Sequence, residues 1–240
     1  MKKNIYLFIL MISLFSGTVT GQNIDSIRLA NILRSLKLDK AKIKEELCTE
    51  KKMPNAEDSY IAVIPLVVSQ EEDYVFTVQN YILITNPNGV IKNKYLDPTE
   101  LNSDAVNLRG FTIDTGLYNI SANIRAFGVK ADFVGSSRPN PYASGVISMY
   151  YPDGKTLKKV LDQFELDSTT GEWDTRCNGE FQDEHSYIIM DTSKTNNFTD
   201  LNIKTISVTT KNKEVKGDCK GKETSKIFYK KLKFKNGKYQ

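Results

Sequence analysis

The sequence predicts a mainly β fold, built as a sandwich, an open barrel or propeller-like antiparallel sheets, with a helical segment ahead of it. Three observations carry that expectation. Short apolar runs with two-residue alternation recur from Tyr60 onward, and clusters of Gly, Pro, Asn and Asp divide them. Spacing of three and four residues between apolar positions is concentrated in residues 24–47.

The first 21 residues have the order of a secretory signal peptide: Lys2 and Lys3, an apolar core from Ile5 to Phe15, then a small and polar exit ending at Gly21. Val19 and Gly21 suit the small-residue rule for cleavage before Gln22. The apolar run is about eleven residues, roughly half of what a bilayer-spanning helix needs. No Cys follows it closely, which argues against lipoprotein attachment. The expectation is therefore 1–21 signal peptide, 22–55 helical N-terminal segment and 56–240 β-rich domain. Such a protein is exported to the periplasm or the medium, with no transmembrane helix in the mature chain.

In the helical segment Ile24, Ile27, Leu29, Ile32, Leu33 and Leu36 form one stripe, followed by Ile43 and Leu47. Asp25 or Ser26 can cap its start, because a side-chain oxygen there accepts from free backbone N–H groups. Asp39 restarts a second set of turns, Arg and Lys form the solvated face, and Pro54 and Asn55 end it. Beyond it, Tyr60 to Val68 reads as a buried strand with Pro65 at an edge or bulge. Asn86-Pro87-Asn88-Gly89 between two apolar runs is a hairpin signal. Phe127, Val129, Ala131 and Phe133 share one strand face. Leu157, Val160, Leu161 and Phe164 have helical spacing between turn signals; strand is the reading adopted. Residues 165–167, 179–190, 201–210 and 227–234 read as further short strands, and Asn236-Gly237 closes the series.

Composition excludes disorder: 40% of residues are hydrophobic and 10% aromatic. Charge is unevenly placed. Residues 204–240 hold 12 Lys against Glu214, Asp218 and Glu223, a net of +9 (12 − 3). A basic end of this kind meets anionic polymers, or it is a Lys-rich edge strand that resists aggregation. Of the three cysteines, Cys177 and Cys219 are the favoured disulfide, since both lie in the β-rich half near turns; Cys48 is then free and buried, or bonded to another chain.

Motifs for chemistry are sparse. His185 is the only histidine, and Asp183-Glu184-His185-Ser186 carries no nucleophile-elbow signature. One His and three dispersed Cys lack zinc-ligand spacing, and no phosphate-binding glycine loop occurs. Glu172, Asp174 and Glu180 cluster around Trp173 and are the carboxylates a hydrolase would use. The loop from Gly135 to Tyr142, stiffened by Pro139 and Pro141, displays Arg138 and Tyr142 as a recognition tip. Arg138, Tyr142 and Trp173 are the candidate binding residues. No catalytic and no metal-ligating residue is assigned.

Asp191 to Leu201 resembles the tight calcium loop of FG-GAP repeats. Aligning Asp200-Leu201 with that loop's ending puts Lys194 at a ligand position, where an ammonium repels a cation, so calcium at Asp191–Asp200 is disfavoured and no cofactor is expected. The segments Ser103–Val106 through Arg125–Val129, Gly135–Tyr142 and Gly171–Phe181 resemble a family of uncharacterised exported bacterial proteins. The similarity runs from about Pro54 onward and implies one exported module, without implying an activity. The function expected is a non-enzymatic envelope or secreted binding module whose partner is an anionic envelope polymer or a protein, and not nucleic acid. The alternatives are a hydrolase acting on envelope polymers, or a structural or inhibitor protein.

Overall fold

The computed structural model describes residues 23–240. The signal-peptide expectation for 1–21 lies outside the described residues. Helix α1 spans Ser26–Leu36; the Asp25 side chain accepts from the Arg28 N–H at 2.9 Å, and Lys37 ends the helix in the left-handed region. Leu29, Ile32 and Leu33 pack on Ala62, Ile64 and Leu83 of the sheet. Arg28 departs from the solvated basic face expected of this helix. It is buried, paired with Glu50, and its guanidinium lies 3.9 Å from the centre of the Tyr60 ring. A basic side chain is tolerated there because its charge is paired and its plane covers an aromatic face.

Thirteen strands follow: β1 Thr49–Lys52, β2 Tyr60–Gln70, β3 Phe76–Thr85, β4 Ile91–Ser103, β5 Val106–Ser121, β6 Ile124–Gly135, β7 Tyr142–Asp153, β8 Thr156–Trp173, β9 Gly179–Thr195, β10 Phe198–Val215, β11 Asp218–Leu232, β12 Phe234–Lys235 and β13 Lys238–Tyr239. Strand β1 falls within the stretch expected to be helical; only two short 3-10 turns separate it from α1. The first eight strands run in the order β1-β2-β3-β4-β8-β7-β6-β5. Neighbours pair antiparallel except β4 and β8, which meet in parallel at Lys94 and Thr156. Lys51 on β1 donates to the Ile113 carbonyl on β5 at 3.0 Å, so the two ends of this sheet approach and the wall nearly closes into a barrel. Ile61, Val63, Ile82, Ile84, Ile113, Phe127, Val129, Tyr150 and Leu157 form one core cluster, and Phe76, Val78, Leu108 and Ala131 another.

The expectation of short strands is overturned: β8 and β10 each run 18 residues and β9 runs 17. Polar residues fill their exposed stretches, so apolar runs marked only the buried pieces. The helical spacing at Leu157–Phe164 also has a physical cause. Tyr150 pairs with Lys159, Met149 with Leu161 and Ile147 with Phe164, so β8 carries extra residues at Val160 and around Gln163. Each bulge shifts the alternation by one and bends the strand. Gln163 takes φ 43°, and its N–H donates to Ser148 Oγ at 3.0 Å.

Above these bulges β8 gains β9 on its other edge, from Asp167 to Trp173. Strands β9, β10 and β11 then form a continuous antiparallel arm. Its lower half and the β12–β13 hairpin cover the barrel's outer wall: Leu201, Ile203 and Leu232 of the arm and Phe234 and Tyr239 of the hairpin pack on Ile147, Met149, Tyr151, Val160 and Leu161. Pairs of positive-φ residues make its tight turns, Asn196-Asn197 between β9 and β10 and Lys216-Gly217 between β10 and β11.

Lys159 anchors the lower part of β8. Its ammonium, 4% exposed, lies 2.6 Å from both Asp97 and Asp162. Asp97 also accepts from Tyr150, whose phenol burial and the Asp97 charge push well above its ordinary pKa and so keep as a donor. Replacing Asp97 takes from the Lys159 ammonium its most buried carboxylate, leaving it Asp162 and Thr99, and takes from the buried Tyr150 hydroxyl its carboxylate acceptor. Asp97→Ala is predicted to lower stability by about 3 kcal/mol, read as a lower urea midpoint, while Lys158→Ala, which breaks the exposed pair with Asp153, leaves the midpoint in place.

Candidate functional site

The structure brings Arg138 and Trp173 together at the end of β7 and β8 where the arm begins. The Trp173 indole N–H donates to the Arg138 carbonyl at 2.6 Å, and its backbone N–H donates to the Pro139 carbonyl at 3.0 Å. The Arg138 guanidinium stands 6.0 Å from the indole centroid. Trp173 thus pins the proline-stiffened loop as well as presenting a ring. Tyr142 lies opposite Thr170, three residues back along β8, and is partly exposed.

The turn after Trp173 is organised by Asp174. One carboxylate oxygen accepts from the N–H groups of Arg176 and Cys177 at 2.9 and 2.8 Å, the other from the Asn178 amide at 2.7 Å. These bonds, the Asn178 amide foremost, hold its carboxyl below the usual carboxylate range. Of the three carboxylates a hydrolase would use, Glu172 and Glu180 stand opposite each other across β8 and β9, Glu180 is paired with Lys211 at 2.9 Å, and Asp174 is committed to its own turn. The turn presents Cys177 to Cys219, and the two are joined by a disulfide. Asn178 also accepts from the Glu214 N–H at 2.9 Å. The far end of the β10–β11 hairpin is therefore fastened to the β8–β9 turn.

Strand β11 forms an outer edge, laddered to β10 alone. Every residue in it before Leu232 is exposed. Lys220, Lys222, Lys226 and Lys230 alternate along one face, and none has an ion pair among the described residues; Lys230 lies over the Phe164 ring. At its centre Ile227, Phe228 and Tyr229 are 54%, 51% and 65% exposed.

A second polar constellation was not assembled from the sequence. His185 on β9 bonds Asp167 through Nδ1; Lys130 on β6 lies 3.0 Å from both Asp167 and Asp132; and the Tyr187 ring meets the imidazole edge-on at 4.5 Å. Gly145 makes room, since a Cβ there would stand 3.0 Å from an Asp167 oxygen and 3.2 Å from an Asp132 oxygen. The group sits between two open hollows of about 480 and 380 Å³ along the outer wall. No serine, threonine or cysteine bonds the imidazole among the described residues, so the arrangement is an Asp–His pair without a positioned nucleophile.

At the Asp191–Asp200 loop, Asp191 accepts from the Ser193 N–H at 3.0 Å and pairs with Lys231 at 2.9 Å, and these contacts lower its pKa; Asp200 accepts from the Ser193 hydroxyl at 2.7 Å. A serine and an ammonium thus meet the carboxylates that a calcium loop would turn on the ion, and the donor set does not fit calcium. Among the described residues no group of three His, Cys, Asp or Glu side chains converges as a metal site.

Compared with known proteins, the chain matches no family model, no curated protein and no solved structure.

Cys48 is buried, and burial, then the charges of Glu45 and Glu46, push its thiol up to about 12. Since the thiolate is the reactive form, a thiol reagent at pH 8 is predicted to titrate no cysteine in the native protein. It should find one thiol after unfolding, and all three after unfolding with reductant.

Proposed function

We propose that the protein is an exported, non-enzymatic binding module that engages an anionic envelope polymer or protein through the basic face of β11. The observation that carries this reading is the row of Lys220, Lys222, Lys226 and Lys230 on one face of an exposed strand, with no carboxylate partner among the described residues. Unpaired ammonium groups at strand spacing attract a polyanion, and the attraction weakens as salt screens it. The exposed Phe228 on the same face adds apolar contact. Two features support the setting. The Cys177–Cys219 disulfide suits an oxidising compartment, and it holds the hairpin extended before any ligand arrives. Arg138 over Trp173, at the fastened end, extends the cationic and aromatic surface.

The test is retention on a sulfated polysaccharide matrix and co-sedimentation with vesicles containing anionic lipid. Substituting all four lysines, Lys220→Gln, Lys222→Gln, Lys226→Gln and Lys230→Gln, is expected to weaken binding by at least about tenfold at low salt. The circular dichroism and thermal midpoint should stay in place, because these side chains are exposed. Equal binding by the parent and the variant would overturn the proposal.

A further inference from the structure

An exposed strand edge with three apolar residues at its centre is a template for another strand, and proteins normally guard such edges with charge. In β11 the charges have a more specific effect, because they discriminate between registers. A two-fold axis normal to the sheet pairs each residue with one on the same face, so it must pass beside one residue and its own copy. Centring β11 and a second β11 on Lys226 opposes Lys222 to Lys230. Centring on Phe228 opposes Lys226 to Lys230, and centring on Ser225 opposes Lys220 to Lys230. Like charges directly opposite are destabilising.

Centring on Ile227 avoids every such pair. It places Glu223 opposite Lys231, Lys226 opposite Phe228, Thr224 opposite Lys230 and Ser225 opposite Tyr229. Ile227 meets its own copy on the axis, with Tyr229 of each strand two residues away on the same face. The two exposed apolar side chains of that face would then cover one another across the dyad. The lysine stem over the Phe228 ring adds a cation–π contact. Centring on Tyr229 also avoids opposed lysines, but it shortens the pairing to Lys226–Leu232 and sets Ile227 against Lys231.

We infer that a second copy of this chain pairs antiparallel with β11, in the register that sets Ile227 against Ile227, joining the two arms into one continuous sheet. The occupant is a second copy because the strand is complementary to itself in charge and apolar content in this register. The inference is independent of the polyanion reading, which uses the lysine face and not the backbone edge.

Site-specific cross-linking of the full mature chain tests it. Ile227→Cys is expected to form an interchain disulfide under mild oxidation at least about ten times faster than Ser225→Cys, since directly opposed residues lie about 5 Å apart between Cβ atoms and diagonal ones about 7–8 Å. Ser225→Cys should instead cross-link with Tyr229→Cys when the two variants are mixed. Ile227→Lys, which puts two ammonium groups on the axis, is expected to shift the monomer–dimer equilibrium at least about tenfold toward monomer in sedimentation equilibrium. A parent protein that stays monomeric at about 100 µM, or cross-linking with no preference for position 227, would sink the inference. A monomer that still binds the polyanion would leave the proposed function standing, and a dimer that does not would remove that function alone.

Discussion

The 18-residue strand β8 has to serve two layers at once, and the ion cluster at Lys159 together with the two bulges beside it is what lets it do so. Below the bulges Leu157 and Lys159 turn into the barrel, where Asp97 and Tyr150 receive the ammonium and its carboxylate partner. Leu161, past the first bulge, and Phe164, past the second, turn outward to meet the arm. An unbroken alternation would turn Leu161 into the barrel with Leu157 and Lys159, and would leave the outer layer Val160 and Phe164 alone from this stretch to pack on. Asp162, at the bend, also reaches Lys238 on the terminal hairpin at 3.3 Å. One small network thereby links the barrel interior, the bend and the C-terminal end of the chain. Since the arm hangs from the upper half of β8, every candidate surface outside the barrel depends on that bend.

Local chemistry made part of this legible in the sequence. The Asp25 cap, the apolar stripe through Leu29, Ile32 and Leu33, the alternation through Phe127, Val129 and Ala131, and the Asn236-Gly237 turn are all set by neighbours within a few residues. Strand lengths were illegible for a reason that β11 makes plain. From Asp218 to Lys226 it has no apolar core residue, and its ladder with β10 is fixed by the Lys216-Gly217 turn and by the disulfide, not by burial. Arg28 misled for the opposite reason. Its helix position looks solvated, and only the fold brings Glu50 and the Tyr60 ring beneath it.

The candidate site divides the same way. Arg138 and Trp173 were singled out separately as a loop tip and a lone indole, and the sheet places one against the other. Asp167 and His185 are 18 residues apart, and their meeting follows from the β8–β9 register, which no motif encodes. Asp183-Glu184-His185 looked featureless because its partners, Asp167 and Lys130 with Asp132, come from two other strands. The one signal available was His185 itself, a single titratable imidazole within a strand of alternating polarity. The lysine run was readable both as charge and as a Lys-rich edge strand, and β11 is an outer edge; which strand it would pair with was not readable, since that is a property of the whole sheet.

What suits β11 to the binding proposed for it is its mechanical support more than its charge. Leu232 anchors one end in the core over the barrel wall, and Cys219 anchors the other to the β8–β9 turn. Between those two points the strand is fully laddered to β10 yet uncovered on its outer side. A free hairpin of this length would lose conformational entropy on docking, whereas one held at both ends has already lost it during folding. The cost is an exposed apolar centre at Ile227, Phe228 and Tyr229, which a monomer in water gains nothing by displaying. Alternating lysines lower the aggregation risk of that display by penalising most registers of self-pairing. The same alternation leaves a continuous cationic face. A single pattern of residues thus keeps the edge soluble, restricts what can pair with it and marks the sign of charge that it attracts.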